Sequence, residues 1–193
     1  MKNACTPWSR KYPILASVMT TTEELPRAWI YCDGSCIGNP GPAAWAYVLD
    51  LPDTRGGRTV TAAGFMGDRT NNVAELAALR RGCYRLRRTF GTDFKVIVYS
   101  DSQYAINTVA GIWTPKKNLR LVEKARTEIE RFPDLGIVWI KGHAKCEGNK
   151  RADRLAQHSA RSRVHIRPTL RKGTVYISSR DSMLGDPKHL VRI

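Results

Sequence analysis

Four acidic side chains, Asp33, Glu75, Asp101 and Asp153, stand where carboxylates can meet once the segments between them fold as their patterns dictate. Asp33 closes a run rich in aromatic and β-branched residues, and Asp101 closes another directly after Ser100. Glu75 falls in the first turn of an amphipathic segment, and Asp153 falls near the start of a second one. Taken singly, each has a plain structural alternative: Asp33 and Asp101 as strand-end or capping residues, Glu75 and Asp153 as acids favoured near a helix N-terminus by the macrodipole. Taken together, four converging carboxylates repel one another unless cations neutralise them. Hard oxygen donors of this kind suit Mg²⁺ or Mn²⁺.

The elements that must hold these acids follow from hydrophobic period and turn chemistry. Ala28–Ser35 reads as a mostly buried strand. Gly38-Asn39-Pro40-Gly41-Pro42 is a turn, and Ala43–Asp50 is the next strand. Pro52 to Gly57 turn again before a third strand, Arg58–Met66. Such short connections make the three strands an antiparallel meander. Thr70 or Asn71 caps a helix over about 71–88, with Leu76, Leu79, Cys83 and Leu86 as its apolar stripe. A crossover helix makes the next strand, Lys95–Ser100, parallel to the first. A short helix from Asp101 to about Ala110 follows, then a helix over Lys117–Arg131 with Leu119, Leu121, Ala125 and Ile129 as its apolar positions. Gly136–Lys141 is a fifth strand, and Glu147 to about Arg163 is a last helix, apolar at Ala152, Leu155, Ala156 and Ser159. The expected fold is α/β, a mixed five-stranded sheet flanked by helices, three strands antiparallel and then two parallel. Asp33 and Asp101 then project from the same edge of the sheet, at the carboxyl ends of parallel strands, where ligands of open α/β sheets sit.

The local sequences around the acids resemble ribonuclease H of type 1. The resemblance runs through Tyr31-Cys32-Asp33-Gly34-Ser35-Cys36, Gly38-Asn39-Pro40-Gly41, Thr70-Asn71-Asn72-x-x-Glu75-Leu76 and Ser100-Asp101-Ser102-Gln103-Tyr104. It continues through Trp139-x-Lys141-Gly142-His143 and Gly148-Asn149-x-x-Ala152-Asp153-x-Leu155-Ala156, and covers about residues 28–160. Any one block is weak, but the blocks together in family order are specific. The resemblance implies the ribonuclease H-like fold and an endonuclease that cuts the RNA strand of an RNA–DNA hybrid, leaving a 5′-phosphate and a 3′-hydroxyl. It implies that Asp33, Glu75, Asp101 and Asp153 bind two divalent metals, Mg²⁺ with Mn²⁺ able to substitute. Two metals about 3.5–4 Å apart can activate the attacking water and stabilise the departing oxygen of a phosphodiester. His143, on the loop before the last helix, matches the family histidine that assists turnover by proton handling or product release.

The same resemblance assigns substrate contacts. Asn39, Asn71, Asn72 and Gln103 match positions that touch the minor groove, where amides reach base edges and the 2′-hydroxyls that distinguish RNA from DNA. Thr70 and Asn118 resemble the family's pocket for a DNA phosphate, Asn118 beside a length change. Capping is the plain alternative for the Asn pair, and both roles can coexist. One departure is clear. Many bacterial relatives carry an extra helix and a basic, Trp-rich loop where this chain has only Gly111-Ile112-Trp113-Thr114-Pro115-Lys116-Lys117. Affinity must then come from elsewhere. Two basic stretches are available: Arg80, Arg81, Arg85, Arg87 and Arg88 on the first long helix, and Arg161, Arg163, Arg167, Arg171 and Lys172 after the last one. For either, a merely solvated basic surface is the alternative.

Composition agrees with a polyanion partner. The chain has 193 residues, with 32 Lys and Arg against 17 Asp and Glu, a formal charge of +15. With 42% hydrophobic residues it suits one globular domain. The expected division is an irregular arm over 1–27, a catalytic domain over 28–163 and a basic tail over 164–193, broken by Pro168, Gly173, Gly185 and Pro187. No run approaches the roughly 18 apolar residues of a membrane span. Five cysteines, Cys5, Cys32, Cys36, Cys83 and Cys146, form no Cys-x-x-Cys pair and fit reduced thiols, with Cys146 expected to be exposed. A cytoplasmic monomer is expected, with no membrane and no obligate protein partner. Residues 1–22 lack acids, which leaves an organellar transit peptide as the alternative address. Two functional rivals stay open on residues alone: a DNA-directed nuclease or transposase on the same fold, and an idle nucleic-acid-binding module, whose expected mark would be a missing metal acid.

Overall fold

The computed structural model describes residues 24–52, 54, 56–141, 146–173 and 190–192. Three antiparallel strands open the fold: β1 (Arg27–Cys36), β2 (Gly41–Leu51) and β3 (Arg58–Arg69). Helix α1 (Asn71–Phe90) crosses over to β4 (Lys95–Ser100), which lies parallel to β1. Helices α2 (Gln103–Val109) and α3 (Leu119–Ile129) lead to β5 (Asp134–Trp139), parallel to β4. Helix α4 (Glu147–Ser162) follows, then two further strands, β6 (His165–Lys172) and β7 (Leu190–Arg192).

The sheet therefore has seven strands in the order β6-β3-β2-β1-β4-β5-β7, which corrects the expected five. Both additions come from the stretch read as a basic tail. β6 pairs antiparallel with β3 along one edge, and β7 pairs antiparallel with β5 along the other. The sequence of β6 hides it. Nearly every residue of it is exposed, so no apolar alternation marks it, and Pro168 argues against a strand. Proline is nevertheless tolerated on an edge strand or at a bulge, and the β3–β6 register shifts between Thr61 and Ala63, where Pro168 falls.

Helices α1, α2 and α3 cover one face of the sheet and α4 covers the other. Leu76, Leu79, Cys83 and Leu86 of α1 are fully buried against Ile30, Tyr47 and Leu49. Each such leucine contributes about 1.5–3 kcal/mol by leaving water. On α4 the buried stripe is short-chained, Ala152, Ala156 and Ala160, so the helix packs closely on Ala46 and Ala63. Gly91 ends α1 with φ 96°, a left-handed conformation that suits glycine.

Two expectations about faces, those for Leu119 and Cys146, need correction. Leu119 is 60% exposed, and Val122 takes the buried position expected for it. Leu119 opens the helix, and its side chain precedes the first turn packed on the core. Leu155 is half-buried and packs against the core from α4, as its place on the apolar stripe implies. Cys146 is buried rather than exposed, because it precedes α4 where that helix is clamped on Tyr31, Val138 and Ile140. The expected arm is described only from residue 24, so positions 1–23 lie outside the described residues, as do 142–145 and 174–189.

Candidate active site

Register alone sets two of the carboxylates side by side. Tyr31 of β1 faces Tyr99 of β4, and their rings stack with centroids 5.0 Å apart. Two residues further on, the same pleat carries Asp33 and Asp101, so both point to the face that Tyr31 and Tyr99 share. That face is the one covered by α4: Gly148 lies against the Tyr31 ring, where a Cβ would stand 2.3 Å from Tyr31 Cδ2. One and a half turns further along α4, Asp153 reaches the same pocket.

Glu75 arrives from the opposite side of the sheet. It crosses at Gly34, where a Cβ would stand 2.4 Å from the Glu75 backbone nitrogen and 2.6 Å from the Ala74 carbonyl carbon. Only a residue without a side chain lets α1 approach β1 this closely. Ligand oxygens of Asp33, Glu75 and Asp101 all lie within 4.8 Å of one another. The pocket holding them measures about 280 Å³ and is lined also by Asn71, Asn149, Lys150, Asp153 and Gln157.

The electrostatics of this pocket are unfavourable for bare protein. Burial pushes the Asp33 carboxyl well above its usual range, and the charges of Asp101 and Asp153 push it further. Burial likewise raises Glu75 strongly, helped by Asp33 and Asp101, against the lowering effect of the Gly34 N–H and the Asn71 amide. Asn71 Nδ2 donates to Glu75 Oε1 at 3.4 Å, while the buried Glu75 Oε2 has no hydrogen-bond partner among the described residues. A buried acceptor without a donor is costly, and a divalent cation satisfies it. The donor set, all carboxylate oxygen, fits Mg²⁺ or Mn²⁺. Gln157 Nε2 donates to Asp153 Oδ1 at 2.6 Å and fixes that carboxylate from one helical turn away.

The residues expected to read substrate divide between two places. Asn71 lines the acid pocket. Asn39, Thr70, Asn72 and Asn118 come together along a larger cavity of about 720 Å³, with Tyr104, Trp113 and Lys116–Lys117 on its far wall. Asn39 Oδ1 accepts the Asn71 backbone N–H at 3.2 Å, so this side chain also caps α1. Thr70 precedes α1 as its N-cap through its backbone, without a side-chain cap bond. Asn118 sits at φ 60°, and its amide donates to the Tyr104 hydroxyl at 3.3 Å, which in turn donates to the Lys117 carbonyl. Gln103 is exposed on the first turn of α2 and lines neither cavity. His143 lies outside the described residues.

Sequence reading missed Gly34 as the gate for Glu75, and Asn149, Lys150 and Gln157 as pocket walls. Gln157 had a readable signal, its four-residue spacing from Asp153 on one helix. The arginines of α1 are less free than their sequence suggests: Arg87 pairs with Glu128 at 2.6 Å, and Arg85 donates to the Tyr47 hydroxyl at 3.1 Å.

Known proteins resemble this chain over most of the described residues. The RNase H family model matches residues 26–161. Ribonuclease HI of Helicobacter pylori is 38% identical over 143 residues, covering 70% of this chain and 94% of that protein. RNase H1 of the archaeon Halobacterium salinarum superposes with a TM-score of 0.61 at 32% identity, covering 72% of this chain and 99% of that one. LC11-RNase H1, solved in complex with an RNA/DNA hybrid, gives a TM-score of 0.58 at 34% identity, covering 71% and 99%. The chain belongs to the RNase H family.

Proposed function

We propose that this protein is a metal-dependent endonuclease that hydrolyses the RNA strand of RNA–DNA hybrids and leaves 5′-phosphate and 3′-hydroxyl ends. The observation that carries this reading is the carboxylate cluster of Asp33, Glu75 and Asp101 within 4.8 Å, with an unpaired buried Glu75 oxygen, together with a cavity lined by the amides of Asn39, Asn72 and Asn118, the Thr70 hydroxyl and the cations Lys116 and Lys117. Asp33, Glu75, Asp101 and Asp153 would hold two Mg²⁺ ions, or Mn²⁺ in their place. When bound, such ions activate the attacking water and stabilise charge on the leaving oxygen.

The chain's own residues do the rest. Asn71 holds Glu75 through Oε1 and leaves Oε2 for the site. Gln157 restrains Asp153, so neither carboxylate must be ordered at the moment of reaction. Asn39, Asn72 and Gln103 offer amides to the minor groove, where a 2′-hydroxyl both donates and accepts. Thr70 and Asn118 lie along one cavity, and with it would seat a phosphate of the DNA strand. His143 would move a proton and speed product release. All these groups come from one chain, and residues 28–163 are read as the catalytic unit of a cytoplasmic monomer.

The test is cleavage of four matched duplexes, with and without Mg²⁺: hybrid, RNA, DNA, and DNA carrying one ribonucleotide. Mg²⁺-dependent cutting of the hybrid's RNA strand alone is expected. Comparable cutting of pure DNA would instead identify a DNA nuclease. Binding without cutting would identify an idle module.

A further inference from the structure

Members of the two basic stretches that sequence offered as separate substitutes for the missing Trp-rich handle, Arg81 and Arg85 from one and Arg167 from the other, meet at one surface. Helix α1 and edge strand β6 enclose a groove of about 240 Å³ lined by Arg81, Tyr84 and Arg85 from the helix, His165 and Arg167 from the strand, and Trp45 and Tyr47 from the sheet. Its helix-side arginines are held in place: the Arg81 guanidinium lies 4.6 Å over the Trp45 ring, and Arg85 is bonded to Tyr47. Among the described residues no acid lines the groove, and Arg81, Arg85 and Arg167 have no ion pair. Fixed, unneutralised guanidinium groups beside aromatic rings fit the phosphates of nucleic acid.

Register fixes where this groove lies. Gly34, next to Asp33, pairs with Trp45, Trp45 with Gly64, and Gly64 with His165. Three strand spacings of about 4.8 Å put His165 about 14 Å from the carboxylate row and at the same height on the sheet. The bulge at Pro168 then sorts the charges of β6. Ile166, opposite Ala63, packs on the α4 side, and Arg167 lines the α1 side. Past the bulge, Arg171 is opposite Thr59 and within Coulombic reach of Arg151 on α4. Without the bulge, Arg167 and Arg171 would share a face.

We propose that the α1–β6 groove binds the phosphate backbone of the substrate duplex beyond the cleavage site, about four base pairs away at roughly 3.4 Å per pair. This rests on the reading of the protein as a hybrid nuclease and extends it to a second contact. Phosphate contacts of this kind position a duplex without specifying its sequence.

The experiment uses the full chain and duplexes in which a short ribonucleotide block fixes the cut, with DNA flanks of about two or about ten base pairs on either side. Dissociation constants are measured in Ca²⁺ and cleavage in Mg²⁺, for wild type, Arg167→Ala and Arg171→Ala. Arg167→Ala is expected to weaken binding several-fold only when one particular flank is long, to flatten the log–log salt slope by about 0.9, and to raise KM more than it lowers kcat. Arg171→Ala removes the same charge from the same strand and should leave flank dependence intact. Equal losses on short and long flanks, equal effects of the two variants, or an unchanged salt slope would overturn the proposal. Failure of the wild type to cut at the ribonucleotides would overturn the catalytic reading instead, while the binding series would still report on the groove.

Discussion

Replacing Asp33 by Asn should make the metal-free protein more stable while abolishing its activity. Oxygens of Asp33, Glu75 and Asp101 lie within 4.8 Å of one another, and Asp33 and Glu75 are each only 5% exposed. At an effective dielectric of about 20, unit charges at that separation repel by about 3.5 kcal/mol. Part of this is already relieved by proton uptake, since burial and neighbouring carboxylates raise both Asp33 and Glu75. A net gain of about 1–3 kcal/mol is therefore expected at pH 8. At about 2–4 °C per kcal/mol for a chain of this size, that is a rise of roughly 2–12 °C in Tm. The sign with pH follows from linkage. A carboxyl that holds its proton more tightly when folded stabilises the fold below its unfolded value near 3.8, and that stability is lost as pH rises through the folded value. Wild type in chelator should thus lose stability on going from pH 5 to 8, and Asp33→Asn should lose less. Mg²⁺ should reverse the order: a cation at about 100 times its dissociation constant adds about 2.7 kcal/mol to a protein that binds it, and the variant has lost a ligand. Thermal melts at two pH values, in chelator and in Mg²⁺, measure all of this, and cleavage should fall by more than about 100-fold, beyond the cost of changes around a metal's ligands. A variant no more stable than wild type in chelator at pH 8, or one stabilised equally by Mg²⁺, would refute the reasoning.

Gly34→Ala should cost about 1–3 kcal/mol by overpacking and should weaken Mg²⁺ binding, because the new methyl meets the backbone of Ala74 and Glu75 and drives α1 from β1; chemical denaturation and calorimetric Mg²⁺ titration check it. Asp50 is buried, accepts a bond from Thr59, and is pushed up to about 7 from an ordinary 3.8, chiefly by burial. At about 1.4 kcal/mol per pH unit, the stability difference between Asp50→Asn and wild type should move by up to roughly 4 kcal/mol in the variant's favour between pH 4 and 8; urea unfolding showing a pH-independent difference would count against this. His143→Ala should slow multiple turnover more than single-turnover cleavage, and equal losses in the two regimes would place His143 in the chemical step.

What the sequence determined by itself was whatever depends on local period and local chemistry. The meander of β1 to β3, the stripe of Leu76, Leu79, Cys83 and Leu86, and the crossover that makes β4 parallel to β1 are all legible, because burial on one face imposes a repeat along the chain. The four acids were legible as a group because each ends a strand or opens a helix within a recognisable block. β6 and β7 were not legible. An edge strand has one partner and little to bury, so its residues carry no alternation, and its pairing is chosen by an open edge elsewhere in the chain. Tertiary structure alone decided that Glu75 reaches the site past a missing side chain at Gly34, and that a bulge at Pro168 turns Arg167 toward α1 while Arg171 faces α4. These are facts about which surfaces meet at distances of a few ångströms. Sequence spacing carries them only when both partners lie on one helix or one strand, and here most of them do not.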